Sequence, residues 1–322
     1  YNKNSIIIDG AGFTTTVIRY VGSADATKGI IKVKNSSYCR IRNLQVTGLS
    51  GGTKRAGFGV YITSEGAGGP NVTQFNDLEK VWATQCLDSG FQVGHVGTDI
   101  DVNVDGNTLD RCFSDNNVVG ARVNNTNDNL TKIFGGAITS NSSFGIEIGL
   151  GARGVEIASP LMYGNGTSEF MIRRTNSGPI HIRDMVTELG NAGSVDSFLT
   201  AEAVSGGVVD YNLLTLTNIN ATCNYTNGAT KLINYQGYGS VHMRNCRFGG
   251  GASTSGGAGA QLTFRPANAA QSGPGWLITE NINLYDGANW DVEVEQGTAW
   301  FKWLDIGTSS AGTLPTSAAT GA

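Results

Sequence analysis

Three glutamates lie close enough in the sequence to act together on one substrate: Glu147, Glu156 and Glu169. Hydrolysis of a glycosidic bond requires two carboxyl groups, about 5 Å apart when the configuration is retained and about 6.5–9.5 Å apart when it is inverted. One group protonates the leaving oxygen, and the other attacks the sugar or activates water. We predict that Glu147 is the principal acid or base and that Glu169 or Glu156 is its partner.

Basic, polar and aromatic residues flank these glutamates. Arg122 and Arg173 could bind charged groups of a substrate, and Asn124 could bond its hydroxyls. An elimination reaction would instead use a base such as His181 or Tyr163. We predict all five as substrate-binding residues. The plainer alternative for these residues and for the glutamates, a solvated position on a strand surface, stays open.

A repeated phrase indicates which elements would position these side chains. The stretch CRIRNLQVTGL begins at Cys39, and SVHMRNCRFGG, which begins at Ser240, has the same order of apolar and polar residues around an Asn. Strict alternation of apolar and polar residues predicts β-strands. The polar bend position of the phrase recurs at Asn43, Asp77, Asp110, Gly135, Ser159, Asp184, Asn218, Asn245 and Asn281.

A second apolar series interleaves with the first. Its members end at Val33, Ile62, Val93, Val123, Ile148, Ile172, Ala201, Ile233, Phe264 and Val294. Both series repeat every 24–36 residues, a range typical of solenoids. Three short strands would close one coil, and successive coils would stack in parallel. At the bend, an Asn or Asp would tolerate positive φ and bond the backbone of the next coil.

The fold predicted from these patterns is all-β. It is a single-stranded parallel β-helix of about ten coils over residues 1–296, with loop insertions. We expect a C-terminal cap and a flexible tail at 297–322, because the open end of a solenoid needs covering.

The coils with the fewest inserted residues predict a groove. Both spacings reach their minimum between about Asp110 and Asp184, with longer insertions on either side. A bare stretch of sheet between protruding loops would suit an extended polymer. The second series places Arg122, Glu147 and Met171 at outward positions there, which is why Glu147 is the preferred catalytic residue.

Composition argues against several classes of function. The 322 residues include 15% charged residues and carry a net charge of −4, which disfavours nucleic acid and anionic membrane surfaces as partners. No apolar run approaches the roughly 20 residues of a membrane span, so we predict no membrane insertion. The five cysteines lack metal-binding spacing, so we predict buried thiols, no metal site and no cofactor.

The opening stretch SIIIDGAGFTTTVIRY, from Ser5, followed by such coils, resembles the pectate-lyase-like right-handed β-helices. That family includes pectin-degrading enzymes and the tailspikes of bacteriophages. The catalytic motifs of polygalacturonases and pectate lyases do not occur here in their family order. The texture rich in Gly, Ser, Thr and Asn looks most like a tailspike receptor-binding domain. This resemblance implies a homotrimer that acts outside the cell, on a virion tail or as a secreted protein.

The function expected from this resemblance is binding and degradation of a bacterial surface polysaccharide, such as a capsule, a lipopolysaccharide or an exopolysaccharide. An endo-acting glycoside hydrolase is favoured over a polysaccharide lyase, because acidic candidates outnumber basic ones in the bare coils. The alternative is a non-catalytic glycan-binding or structural β-helix adhesin.

Overall fold

Strand pairing is parallel throughout the described chain except in one short hairpin. Within these residues there is no helix of the length and apolar character that a membrane span requires. The computed structural model describes residues 4–64, 72–96, 103–124, 128–149, 152–173, 179–189, 197–202, 213–223, 231–235, 240–250, 261–264, 276–285, 291–294 and 298–306.

Each coil presents three faces, and one bent sheet supplies the first two. Several strands cross the bend and belong to both faces: Arg40–Thr47, Asp77–Thr84, Ile180–Leu189, Leu213–Cys223, Ser240–Gly250, Trp276–Tyr285 and Thr298–Ile306. In the remaining coils the strand is interrupted at the bend. The first face then contains Ile7–Asp9, Thr108–Asp110, Asp128–Phe134 and Ala152–Ala158, and the second face contains Val17–Arg19, Phe113–Asp115, Ala137–Thr139 and Leu161–Tyr163.

The third face is a separate parallel sheet. Its strands are Asp25–Lys34, Ala56–Thr63, Ser89–Val93, Val119–Val123, Phe144–Ile148, Ser168–Ile172, Ser197–Ala201, Lys231–Tyr235, Gln261–Phe264 and Asp291–Val294. Two small pairs lie outside the three faces: Leu49–Ser50 with Thr53–Lys54, and Val72–Gln74 with Asn103–Asp105. The predicted parallel β-helix is confirmed.

The second apolar series predicted the register of the third face. Val33 pairs with Ile62, and the match continues from coil to coil as far as Ala201. One member was wrong, because Ala201 pairs with Tyr235 and Ile233 instead pairs with Leu199. Ile233 and Tyr235 are two residues apart and both point inward. The apolar pattern alone therefore cannot distinguish the two registers of this strand.

The bend between the first and second faces uses the left-handed conformation that the sequence predicted. Two positions were wrong: the bend falls at Lys80 and not Asp77, and at Arg111 and not Asp110. Long basic side chains, Lys80 and Arg111, therefore occupy these two bends in place of the expected Asn or Asp. The guanidinium of Arg111 bonds the carboxylates of Asp110 and Glu79. Elsewhere φ lies between 51° and 58° at Asn43, Gly135, Ser159, Asp184, Asn218, Asn245 and Asn281.

From the sequence, the bend amides are expected to bond the backbone of the next coil. In the structure they instead bond the side chain at the neighbouring bend. Asn245 Nδ2 donates to Asn218 Oδ1 at 3.2 Å, and Asn281 Nδ2 donates to Asn245 Oδ1 at 2.9 Å. These contacts are exposed to solvent, so each adds little to stability.

Stacked aliphatic side chains fill the interior. Ile41, Leu78, Leu109, Ile133 and Ile157 occupy equivalent positions on successive coils of the first face and are almost fully buried. Parallel coils at a spacing of about 4.8 Å bring such side chains into direct contact. The alternation seen in the sequence is therefore the alternation between this core and the surface.

Four of the cysteines are buried thiols, as predicted: Cys39, Cys86, Cys112 and Cys246. Burial raises the pKa of Cys86 and of Cys112 to about 12. These side chains therefore behave as small apolar groups of the core.

A ladder of buried asparagines links the coils at the turn between the second and third faces. Asn117, Asn141 and Asn165 follow one another at intervals of 24 residues. Asn141 Oδ1 accepts from the main-chain N–H of Asn117 and from its Nδ2, both at 3.2 Å. Asn165 Oδ1 accepts from the same two groups of Asn141, at 3.1 and 2.8 Å. Each amide thus satisfies two donors of the preceding coil inside the protein.

The C-terminal strand Thr298–Ile306 pairs in parallel with Trp276–Tyr285 and forms the last described rung. The division at residue 296 and the cap beyond it stay predictions, and residues 307–322 lie outside the described part.

We expect Asn141→Ala to lower the free energy of unfolding by about 1–3 kcal/mol, because the main-chain N–H of Asn117 would lose its acceptor in a buried turn, whereas Asn117 Nδ2 keeps the Ala83 carbonyl and Ser114 Oγ. Denaturant unfolding followed by tryptophan fluorescence measures this change.

Asn245→Gly is the matched control, since it removes an Asn from the exposed bend and glycine adopts positive φ without strain. It should cost less than about 1 kcal/mol. Equal losses for the two variants would contradict a principal role for the buried ladder.

Candidate functional site

An open groove of about 310 Å³ lies on the second face. Aromatic and aliphatic side chains form most of its surface, and Leu161 and Tyr163 are 49% and 44% exposed. Large apolar side chains are usually buried, so a cluster that is left accessible in a concave site indicates a ligand surface. The groove is lined by Phe13, Trp82, Phe113, Ser114, Asp115, Ala137, Thr139, Leu161 and Tyr163.

Strand register orders this lining into two adjacent files. The apolar file contains Trp82, Phe113, Ala137 and Leu161, which are paired from coil to coil. The polar file lies two residues further along each strand and contains Asp115, Thr139 and Tyr163. Because side chains two positions apart on a strand share a face, each rung offers an apolar surface beside a hydrogen-bonding group.

Phe13 forms a wall at one end of the groove. Its ring meets that of Phe113 edge to face, with centroids 5.0 Å apart, and that of Trp82 at 6.5 Å. It comes from the loop after Ile7–Asp9, so the first coil completes a site that is otherwise built on later coils.

Asp115 fixes the orientation of the largest ring in the groove. Its Oδ1 accepts from Trp82 Nε1 at 2.7 Å, and its Oδ2 accepts from Asn116 Nδ2 at 2.8 Å. A charged acceptor on the indole N–H holds the ring plane in place before a ligand arrives. Each carboxylate oxygen keeps a further lone pair for a ligand donor.

The predicted catalytic residue Glu147 lies on a different face. It occupies the outward side of the third-face strand Phe144–Ile148, where its register partners are Arg122 and Met171, as the sequence predicted. Its Oε2 accepts from Arg122 at 3.2 Å and its Oε1 accepts from Arg173 at 3.1 Å. Arg122 and Arg173 therefore bind the charge of Glu147 in this structure.

In the described part of the third face, two of the three outward side chains expected to line an open groove are buried. Glu147 is only 7% exposed, and Met171 is buried as well. The two arginines extend the network to Asp88 and Glu202 at its ends. Burial acts to lower the pKa of Arg122, but the carboxylates of Glu147 and Asp88 outweigh it and raise that pKa above its ordinary value.

The other two predicted glutamates are separated from Glu147. Glu156 lies on the first face, beside His181 in register, and its carboxylate bonds Arg183 at 2.9 Å. Glu169 belongs to the third-face strand Ser168–Ile172, but its side chain is fully buried. The structure does not bring these three carboxyl groups onto one surface.

Glu169 ends the asparagine ladder. Asn165 Nδ2 donates to its Oε2, as it would to the amide oxygen of an asparagine on the next coil. Oε1 has no hydrogen-bond partner among the described residues, and burial raises the pKa of Glu169 to about 8.

The remaining predicted residues fall in separate places. Tyr163 lines the groove, while Asn124 lies at the end of Val119–Val123 and packs on Gly149. The sequence patterns did not indicate Phe113, Asp115 or Leu161 as site residues. The misplaced bends account for this: once the bend is set at Lys80 and Arg111, Trp82 and Phe113 each follow it by two residues.

Comparison with known proteins supports the architecture. No protein-family model matches the sequence, and a search of curated proteins finds no significant match. The solved structure of the Agl-KA catalytic domain is similar, with a TM-score of 0.56 and 16% identity, over 96% of this chain and 59% of that one. Pectate lyase Pel9A is similar with a TM-score of 0.57 and 12% identity, over 94% of this chain and 79% of that one. At such identities the likeness shows the fold, and this chain spans less than two thirds of the first neighbour's length.

We expect Glu169→Gln to change how stability depends on pH. The pKa of the wild-type carboxyl rises from its ordinary value of 4.5 to about 8 on folding. Between these values the unfolded chain has released a proton that the folded chain retains, so wild-type stability falls as pH rises through this window. Glutamine has no such proton. The variant should exceed the wild type in stability by less than about 1 kcal/mol near pH 5 and by about 3–5 kcal/mol near pH 9, in urea unfolding at each pH.

Glu156→Gln provides the comparison, because this carboxylate is partly exposed and paired with Arg183. Its loss should shift stability by less than about 1 kcal/mol. If Glu169→Gln and the wild type followed parallel curves from pH 5 to pH 9, a buried protonated Glu169 would be excluded.

Proposed function

We propose that the protein binds a polysaccharide chain along the second-face groove. The observation that carries this proposal is the pairing of an apolar file, from Trp82 to Leu161, with a polar file, from Asp115 to Tyr163. A sugar ring is amphipathic in the same way, with C–H groups on its faces and hydroxyls at its edge. Aromatic side chains with a fixed plane suit the faces, and nearby acceptors suit the hydroxyls.

The stacked coils also suit a polymer. Each rung repeats the two-file arrangement at a spacing of about 4.8 Å, so a chain lying along the helix axis meets similar groups at each step. The groove is open along its length, with exposed Leu161 and Tyr163 toward one end. An open trough accepts an internal segment of a long chain, whereas a closed pocket would accept only an end.

Cleavage of the bound chain is the second candidate. One fold neighbour is a pectate lyase and the other is a catalytic domain. Asp115 is the carboxylate of the described groove, and we propose it as one of the two groups that hydrolysis requires.

Other parts of the proposal rest on the sequence resemblance. They are a bacterial surface polysaccharide as the substrate, hydrolysis in preference to elimination, a homotrimeric assembly, and action outside the cell as a tailspike-type protein. A virion-attachment module encoded with or beside this chain would support the last of these.

We expect Trp82→Ala to weaken retention on an immobilised polysaccharide panel by about fivefold or more, because one stacking ring contributes on the order of 1–3 kcal/mol to such contacts. Binding is measured by surface plasmon resonance with capsular, lipopolysaccharide and neutral glycan samples. Release of reducing ends in the same incubations reports hydrolysis, and new ultraviolet absorbance from unsaturated uronates reports elimination.

Tyr38→Ala is the matched control, since Tyr38 is an exposed aromatic residue that stacks on Phe75 outside the groove. Its retention should equal that of the wild type. The groove would be ruled out as the binding site if Trp82→Ala bound as tightly as the wild type while remaining folded by circular dichroism.

A further inference from the structure

We infer that the groove selects a neutral polysaccharide segment over a polymer of uronic acids. This inference rests on the proposed function, because it concerns the ligand of the same groove. It departs from what the name of the pectate lyase neighbour suggests, since pectate is a polyuronate.

The charge of the groove carries the argument. Among its nine lining residues, all of which are described, Asp115 carries the one formal charge, and that charge is negative. The side chains beside it in the polar file are the hydroxyls of Thr139 and Tyr163. A uronate needs a cation or several N–H donors to replace its water, and a carboxylate close to Asp115 would be repelled instead.

Lys80 and Arg111 lie at the bend two residues before Trp82 and Phe113, but they pair with Glu79 and Asp110 of the first face. Arg19 and Arg247 on the second face lie far from the centre of the groove. Arg19 is three rungs before Asp115 in the polar file, through Thr47 and Thr84. Arg247 lies three rungs beyond Leu161 in the apolar file. Three rungs correspond to about 14 Å, which exceeds the Debye length of roughly 8 Å at physiological ionic strength.

Lys54 lies near the groove, and its ammonium group already has a hydrogen-bond acceptor within the protein. Lys54 Nζ, from the short hairpin at the corner of the second face, donates to the main-chain oxygen of Asn116. The cation therefore supports the turn that follows Asp115. Hydroxyl donors of a neutral sugar, by contrast, can bond Asp115 directly, because each of its oxygens has a free lone pair.

The groove also sets the length of the segment. Trp82, Phe113, Ala137 and Leu161 span four consecutive rungs, or about 14 Å between the outer two. Ala137 is the one small residue in the file, so it leaves a notch between the Phe113 ring and Leu161. A substituent on a sugar ring would fit there, and the binding unit is a short run of sugars along the axis.

The experiment compares polymers that differ in charge but share a backbone. Polygalacturonate and its carboxyl-reduced form, a neutral galactan, are immobilised beside a panel of neutral glucans, mannans and galactans. The wild type, Trp82→Ala and Asp115→Asn are passed over each surface at physiological and at low salt.

We expect Trp82-dependent retention on at least one neutral polymer and none on polygalacturonate. In Asp115→Asn the repulsion is gone, while the amide oxygen can still accept from Trp82. The preference for neutral over acidic polymers should therefore narrow by roughly tenfold at low salt, the size of one close unscreened charge pair.

Two outcomes would overturn the inference in distinguishable ways. Retention of polygalacturonate that Trp82→Ala abolishes would show that the groove binds glycans but that its charge does not select against uronates. Retention that is indifferent to Trp82, or no retention on any polymer, would remove the proposed function itself, and the inference with it.

Discussion

Hydrogen bonds between buried asparagines hold the register of the three coils that carry Asn117, Asn141 and Asn165, and the second-face groove depends on that register. The side-chain oxygen of Asn141 accepts two hydrogen bonds from Asn117 on the preceding coil. The side-chain oxygen of Asn165 accepts the same two bonds from Asn141. Because the side-chain period of a strand is two, a slip of one residue in any coil would turn its core residues toward solvent. The ladder penalises that slip through unsatisfied buried amides. The aromatic file of the second face exists because this register is held.

The same register produces a buried ion-pair network on the third face and an accessible groove on the second face. On the third face it stacks Arg122 beside Glu147 within reach of Arg173, so the charges satisfy one another and the surface closes. On the second face it stacks the uncharged side chains of Trp82, Phe113 and Leu161, which line an open groove around Asp115, the acceptor of the Trp82 indole N–H. We therefore expect ligand binding on the second face, where the outward side chains are accessible.

The sequence predicted the coils, most of the bends and the register of the third face, because these depend on local alternation and on residues that tolerate positive φ. It did not predict the groove. Lys80 and Arg111 take the left-handed conformation without being Asn, Asp or Gly, and misplacing those two bends concealed the alignment of Trp82 with Phe113. The burial of Glu147 in an ion-pair network could not be predicted either, because its pairing with two arginines depends on contacts between coils. The 24-residue spacing of Asn117, Asn141 and Asn165 was visible in the sequence and could have located the buried ladder.

The most direct test of this account is a crystal structure of the protein soaked with a neutral oligosaccharide that it retains. The account predicts sugar rings packed on Trp82 and Phe113, with a hydroxyl bonded to Asp115 and the chain running along the helix axis. A sugar bound over Arg122 and Glu147 on the third face, with the second-face groove unoccupied, would contradict it.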